Sequence, residues 1–482
     1  MKEYSICFLP HGIRCTAVPG ETLLQVMRRA GLQPDAPCGG RGTCGKCRVI
    51  LEGQEALACR TVVDRDMTVT LPQKQKHQIL TQGCSTPILP DGTHDYVLAV
   101  DIGTTTVVVY LLDGKAGTVL AKESCPNPQA QYGADVISRL QYALADTADP
   151  LGECIRGCLA RLTAAAAKTA GISTEDITAA AIVGNTAMHH LLLGIDPKPL
   201  VTPPYMPKVR EALQLSNIDT LQGDIRLLPN IAGFVGGDMV GCMVAADFDK
   251  LEEMTLMIDI GTNGELVLGN KHRRIACSTA AGPAFEGAKI SCGMCAAAGA
   301  VDHVWLEEGE VRFHVIGDVP GVGICGSGLL DLVAVLLECG VIDDSGRMKN
   351  KLYRLEGTDV VLTQKDVREV QLAKAAIQAG IELLADRMEI ELTQIRQVYL
   401  AGAFGSYMNP ASACRIGMIP PCLEKRIVSI GNAAGEGAKR CALTLAEYER
   451  SKTLARQTQY LELASAPEFQ NVFVDALDFP EE

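Results

Sequence analysis

The stretch YVLAVDIGTTTVVVYLLD, residues 96–113, reads as an apolar strand ending in an aspartate, a tight Ile-Gly-Thr turn and a second apolar strand. The same arrangement returns in TLMIDIGTNGELVLGN, residues 255–270, with Asp259 standing where Asp101 stood. One such turn could belong to any hairpin. Two copies at half-domain spacing predict an internal duplication, an α/β fold of two related lobes. In each copy the turn directs backbone N–H groups and hydroxyls toward one point, which suits a phosphate, and the aspartate at the strand end can hold a hydrated magnesium ion.

Upstream, Cys38, Cys44, Cys47 and Cys59 follow the spacing C-x5-C-x2-C-x11-C, three of them inside the glycine-rich run CGGRGTCGKC. Four thiolates converging on two irons need this kind of tight, glycine-permitted wrapping, so the run predicts a 2Fe-2S cluster. Zinc is the alternative, but a structural zinc site usually pairs two C-x2-C knuckles or adds histidines, and the nearest histidine, His77, lies well outside. Around the cysteines, Tyr4 to Leu9 and Cys15 to Val18 read as strands, Glu21 to Leu32 as a helix, and CRVIL and MTVTL as later strands. They describe a small ferredoxin-like β-grasp. Residues 74–95, polar and punctuated by proline and glycine, read as a linker.

The chain has 482 residues, 47% of them hydrophobic, enough for two or three domains. The N-terminus lacks the look of a signal peptide and no apolar run is long enough for a membrane span, so a cytoplasmic protein without a membrane partner is expected. A formal charge of −13 would repel nucleic acid or an anionic membrane, and nucleic acid is not expected as a partner. Beyond the four cluster cysteines, the rest of the nineteen are scattered through Ala- and Gly-rich sequence and read as reduced thiols, as in an anaerobe.

With these motifs the second part of the chain resembles the acetate and sugar kinase, heat-shock chaperone and actin superfamily of two-lobed ATPases. The resemblance implies that Asp101, Gly103, Thr104 and Thr105 form the first phosphate motif and Asp259, Gly261, Thr262 and Asn263 the second. It also implies that VYLAGAFGS, residues 398–406, is the adenosine motif, with Gly402 and Ala403 against the nucleoside, and IVSIGNAAGEGA, residues 427–438, the second connecting helix. VGNTAMHHLLLG, residues 183–194, sits where the first connecting segment belongs. ATP and Mg2+ are the ligands so implied. Asp238 in VGGDMVG lies where sugar kinases of this superfamily carry a catalytic base; here it reads as orienting a water for hydrolysis, with the cap of the following helix as the alternative. Gly326 and Ser327 in GICGSGLLDL open a helix whose amides could bind phosphate or the adenosine side, or form a structural turn. Residues 278–294 read as a mobile loop near the nucleotide. Cys292 and Cys295 form a lone C-x2-C, His189 and His190 read as structural, and Val370 to Met388 as a packing helix.

The order ferredoxin, then ATPase, resembles the reductive activators of corrinoid-dependent enzymes over nearly the whole chain. That family's members pass an electron from a reduced donor, of ferredoxin or flavodoxin type, through the 2Fe-2S cluster to a Co(II) corrinoid protein or methyltransferase system, restoring Co(I). A plant-type cluster sits at roughly −400 mV, and each 59 mV uphill is about a tenfold penalty, which ATP can offset. The expected domains are a ferredoxin-like domain at 1–73, a linker at 74–95, ATPase lobes at 96–255 and 256–450, and a C-terminal extension at 451–482. Longer members carry a further domain where this chain has the linker, and a homodimer is one option for its assembly. Two other functions stay open at this point, an ATP-driven donor to a different low-potential metalloenzyme and a redox-sensing small-molecule kinase.

Overall fold

The computed structural model describes residues 3–10, 12–32, 36, 40, 42, 46–51, 53–72, 83, 87–145, 149–219, 221–261 and 263–481. Cys38, Cys44 and Thr262 lie outside these, as do residues 74–82 and 84–86 of the stretch read as linker.

The N-terminal unit consists of β1 (Tyr4–Leu9), β2 (Ile13–Ala17), α1 (Leu23–Arg29), β3 (Arg48–Leu51), β4 (Gln54–Leu57) and β5 (Met67–Thr70). Its sheet runs β2-β1-β5-β3-β4 with β1 and β5 parallel, a β-grasp. Helix α1 is shorter than its apolar period suggested. Thr22 caps it, with Gln25 completing a capping box, and Leu23, Leu24, Val26 and Met27 are buried beneath it. The unit has its own core, including Ile6, Phe8, Val49 and Val69. Arg28 reaches out of it, with its guanidinium 5.2 Å from the ring centre of Tyr132 and donating to the Gln131 carbonyl.

Two six-stranded sheets follow. The first contains β6 (Tyr96–Ile102), β7 (Thr106–Asp113), β8 (Val119–Pro126), β9 (Ile177–Gly184), β10 (Leu213–Ile218) and β11 (Leu221–Leu227), with helices α2 (Val136–Ala145), α3 (Pro150–Ala170), α4 (Thr186–Leu192), α5 (Lys198–Val201) and α6 (Gly237–Ala245) around it. The second contains β12 (Thr255–Ile260), β13 (Gly264–Gly269) and β14 (Arg274–Thr279). After them come β15 (Ala300–Glu307), β16 (Glu310–Val315), β17 (Gly323–Ile324), α7 (Gly326–Glu338), β18 (Leu352–Arg354), β19 (Val361–Thr363) and α8 (Gln364–Arg387). The second sheet is completed by β20 (Gln397–Ala401), β21 (Ile427–Gly431) and β22 (Thr458–Tyr460), with α9 (Gly402–Tyr407), α10 (Pro410–Arg415), α11 (Ala433–Leu443), α12 (Leu445–Gln457) and α13 (Phe469–Asp475). The orders β10-β11-β9-β6-β7-β8 and β21-β20-β12-β13-β14-β22 are the same plan used twice: β6 lies parallel to β9 and antiparallel to β7, as β12 does to β20 and β13. The chain is thus an α/β protein, a ferredoxin-like unit followed by a duplicated, actin-like pair of ribonuclease H-like lobes.

Strand periodicity explains how the two aspartates come together. At β6 and β12, in the middle of their sheets, both faces are covered, so these strands are apolar up to their aspartates and successive residues go to opposite faces. Leu98, Val100 and Ile102 enter the outer core of the first lobe, whereas Val97 and Ala99 enter a core that also holds Met257 from the second sheet. Asp101 and Asp259 share the parity of these inner residues. Between the sheets lie α6 and α11, so close that a Cβ on Gly437 would stand 2.0 Å from the Gly241 carbonyl oxygen. This pairing corrects the expectation for residues 183–194: α4 packs Met188, Leu191 and Leu192 into the outer core, and α6 is the helix that meets α11 between the lobes.

Three other expectations change in extent. Helix α8 begins at Gln364, because Thr363 and Asp366 form a capping box six residues before the apolar period becomes clear. The segment read as a mobile loop carries a 3-10 turn, Pro283–Glu286, and buries Ala281, Ala284, Phe285 and Ile290. Within the stretch read as linker, Gly83 bridges to Gly431, Ile88 packs on the inter-lobe core, and Asp91 accepts from the Leu445 amide at 3.0 Å while donating its own amide to the Leu443 carbonyl. Residues after 450 complete the second sheet through β22, and α13 packs on α8.

Candidate functional site

A cleft of about 320 Å3 opens between the lobes. It is lined by Asp101, Gly103, Thr104 and Thr105 from the first turn, by Asp259, Gly261 and Asn263 from the second, and by Gly402 and Ala403 from the adenosine motif. Gly326, Ser327 and Asp238 line it as well, so every described residue expected in the nucleotide site reaches one cavity.

Each turn is closed by the amide of its glycine. The Gly103 amide donates to the Thr106 carbonyl at 2.9 Å, and the Gly261 amide to the Asn263 carbonyl at 3.0 Å. The first turn is braced from behind by Asn127, whose side chain donates to the Gly103 carbonyl at 2.8 Å and whose amide donates to the Thr105 carbonyl at 2.8 Å. Asn185 donates to the Thr104 hydroxyl at 2.9 Å. Asn432, at the start of α11, accepts from the Gly435 amide and donates to Asp101 Oδ2 at 2.9 Å, tying the inter-lobe helix to the first turn. At the second turn, Gly402 holds a φ of +81° and passes so near Asp259 that a Cβ would stand 2.6 Å from Oδ1, which only glycine allows.

The cleft is acidic. Burial pushes Asp101 up to about 6, aided by Asp259 and opposed by the Asn432 hydrogen bond. Burial likewise raises Asp238 to about 7, with a further push from Asp101, and Asp259 to about 7, with pushes from Asp238 and Glu286. Glu265 is held well above the usual carboxylate range for the same reason. No lysine or arginine lines the cavity among the described residues. A set of buried carboxylates without a cation suits a magnesium-bound triphosphate, whose metal supplies the missing positive charge.

Glu286 was not foreseen. It reaches the cavity from the 3-10 turn and accepts from the Thr105 hydroxyl at 2.9 Å, joining the two lobes across the cleft. Beside it Phe285 stacks on Phe404, ring centres 5.0 Å apart. Asp238 sits in the first turn of α6 behind the Gly236 cap, and its Oδ1 accepts from the Met239 amide at 2.8 Å while the residue lines the cavity. Ser327 is partly spent on structure, donating to the Asp302 carbonyl at 2.8 Å. Cys295 lines the cleft while Cys292 turns toward β19, accepting from the Val361 amide. Both histidines of α4 are buried, and burial lowers each from its ordinary value.

In the N-terminal unit, Cys47 is buried and Cys59 half-buried, and the Ala58 amide donates to the Cys47 carbonyl at 2.8 Å. Within the glycine run, Gly42 has a φ of +74°, its carbonyl accepts from Arg60 at 2.6 Å, and a Cβ there would strike the Arg60 guanidinium. Thiols at Cys47 and Cys59 fit two of the four places in the donor set of a 2Fe-2S cluster.

Together these features define a two-lobed ATPase joined to a ferredoxin domain. Comparison with known proteins agrees unit by unit. A model of the 2Fe-2S iron-sulfur cluster binding domain matches residues 8–84, one of the "RACo middle region" residues 96–251, and one of the "C-terminal domain of RACo the ASKHA domain" residues 253–482. The chain is 37% identical over 413 residues to the corrinoid activation enzyme RamQ of Eubacterium limosum, covering 79% of this chain and 69% of that protein. It is 30% identical over 280 residues to a [Co(II) methylated amine-specific corrinoid protein] reductase of Methanosarcina barkeri, covering 53% of this chain and 52% of that one. The solved structure of a reductive activator for corrinoid, iron-sulfur protein is 29% identical, covers 99% of both chains and superposes with a TM-score of 0.72. The chain belongs to this family of corrinoid-activating reductases. Among the described residues no helix is long and apolar enough to cross a membrane.

Proposed function

We propose that this protein uses Mg2+ and ATP to drive one electron, received from a reduced ferredoxin- or flavodoxin-type donor, onto a Co(II) corrinoid protein of a methyltransferase system. The observation that carries the reading is the union, in one chain, of a cluster-binding fold with a cleft in which two phosphate turns face each other. The cluster, held by Cys38, Cys44, Cys47 and Cys59, supplies a one-electron relay. The chain's own residues do the rest. Amides and hydroxyls of the two turns hold the phosphates, Asp101 and Asp259 position the hydrated cation, and Gly402 and Ala403 leave room for the nucleoside. Thr105 must give up Glu286 to donate to a phosphate oxygen, so nucleotide binding breaks a direct side-chain hydrogen bond between the lobes. Asp238 accepts a hydrogen bond from the attacking water. The lobe angle then differs between nucleotide states, and an acceptor that binds those states unequally is remodelled by hydrolysis.

Mixing the reduced protein with a Co(II) corrinoid protein should produce the Co(I) absorbance only with ATP and Mg2+ present. Asp238→Asn should bind ATP and fail to sustain that signal. Equal Co(I) formation without nucleotide would sink the coupling.

Raised carboxylates also give the site a pH signature. A cation favours the ionised form, so binding of Mg-ADP must expel the proton that Asp259 holds below about 7. Calorimetric titration should show affinity about tenfold weaker at pH 6 than at pH 8, and Asp259→Asn should flatten the dependence. A pH-independent affinity in the parent protein would mean that Asp259 stays clear of the metal.

A further inference from the structure

Cys125 and Cys158 lie on the far side of the first phosphate turn from the cleft. Cys125 stands near the end of β8 and Cys158 in the middle of α3, with the two sulfurs 3.2 Å apart. Arg161, one turn further along α3, places Nη2 3.7 Å from each sulfur. The exposed guanidinium leaves that side open to solvent, Cys125 is half-buried, and Cys158 is buried. We propose that Cys125 and Cys158 are a dithiol site that low-molecular-weight disulfides oxidise to a bridge, and that the bridge acts on the first phosphate turn.

The two thiols are chemically unequal. The Cys158 hydrogen bond brings Cys125 down to about 7 against the opposing effect of burial, with Arg161 adding to the fall, while the same contact raises Cys158. Cys125 is the attacking thiolate in consequence, and Cys158 the resolving thiol. Cys154, one turn before Cys158, is pushed up to about 12 by burial and stays inert. In the first step Cys125 sulfur attacks one sulfur of the small disulfide, its S–S bond breaks, and one small thiolate leaves and takes up a proton. Cys158 then loses its proton and attacks Cys125 sulfur, expelling the second small thiol. One disulfide has been reduced to two thiols and one protein disulfide has formed.

The position gives the bridge leverage. Cys125 pairs with Val107 across the sheet and Pro126 with Thr106, Pro126 lines the cleft, and Asn127 holds both Gly103 and Thr105. Moving the end of β8 toward α3 therefore moves the brace behind the turn. Small displacements of positioning groups cost catalysis heavily.

The test uses the full-length, cluster-loaded protein with hydroxyethyl disulfide as oxidant, followed by alkylation and peptide mapping. Cys125 should react before the exposed Cys339 and Cys422, and the Cys125–Cys158 peptide should be the dominant bridge. Cys158→Ser should leave Cys125 as the mixed disulfide, and Arg161→Gln should slow bridging about fivefold. ATP hydrolysis by the bridged protein should fall about tenfold and recover with dithiothreitol, whereas Cys158→Ser should show no such bridge-dependent loss. A bridge to Cys154, or Cys125 unreacted when Cys339 and Cys422 are consumed, would overturn the site. A complete bridge with unchanged hydrolysis would overturn its action on the turn. This second part rests on the proposed ATPase function, but the peptide map does not. A reduced protein without hydrolysis would count against the function and leave the map to decide the dithiol.

Discussion

Replacing Asp101 or Asp259 with asparagine is expected to lower ATP hydrolysis about a hundredfold while raising the melting temperature of the nucleotide-free protein. The first effect follows from phosphoryl transfer, where catalysis is mostly metal and phosphate positioning; loss of a single positioning group commonly costs this much. The second follows from burial. Each carboxylate is held above its ordinary value, Asp101 near 6 and Asp259 near 7, so the folded protein retains protons that the unfolded chain has lost from about pH 4 upward. More protons on the folded state mean that stability from these groups declines as pH rises through that window. At pH 8 both are ionised in the fold at a cost, and asparagine removes the charge while keeping the shape. Asn432 can still donate to the amide oxygen at position 101, since it now donates to Asp101 Oδ2. Steady-state hydrolysis and thermal unfolding at pH 8 read the two effects separately. Full activity in either variant would mean that the cleft does not hold the phosphates. Lost activity with a lowered melting temperature would make these aspartates structural.

How much of this cleft could be read in the chain depends on whether a residue's partner is near it in sequence. The phosphate turns could be read, because strand, aspartate and Gly-Thr turn are consecutive and are written twice. The inner-face parity of Asp101 and Asp259 is likewise a local property, period two counted from the apolar neighbours. Glu286 could not, since its partner Thr105 belongs to the other lobe and a small-residue segment ending in Glu carries no period. The same holds for Asn127, which braces a turn twenty-odd residues before it, and for the Arg28 contact with Tyr132. Residues 183–194 misled for a related reason. Their place in the motif order between the two phosphate turns matched that of a connecting segment, and only the close approach of Gly241 and Gly437 shows that α6 fills that place. The second half of the presumed linker has polar, turn-forming composition, yet Asp91 is bound to the ends of α11 and α12. Composition reports solvation, and a fastened loop can be as polar as a free one.

Cys59→Ala and Cys47→Ser should each abolish the visible colour, the iron content of about two per chain expected for a 2Fe-2S centre, and all nucleotide-dependent Co(I) formation, while leaving ATP binding intact. The all-or-none loss of reduction follows from the relay role, because an electron with no intermediate site has no short path from donor to corrinoid. The separation from nucleotide binding follows from packing. The ferredoxin unit buries Ile6, Phe8, Leu23, Val49 and Val69 in a core of its own, and neither lobe contributes a residue to it. Cys47 is itself part of that core, whereas Cys59 stands at its edge, half-exposed. Cys59→Ala is therefore the cleaner variant: its side chain is removed from the rim, so the β-grasp should keep its fold without the cluster, and circular dichroism of the isolated variant checks this. Cys47→Ser places a hydroxyl in an apolar core and should also cost stability. Iron and sulfide analysis after anaerobic reconstitution decides the matter. One equivalent of zinc in the parent protein, or unimpaired Co(I) formation by a colourless Cys59→Ala, would show that the four cysteines do not carry the electron.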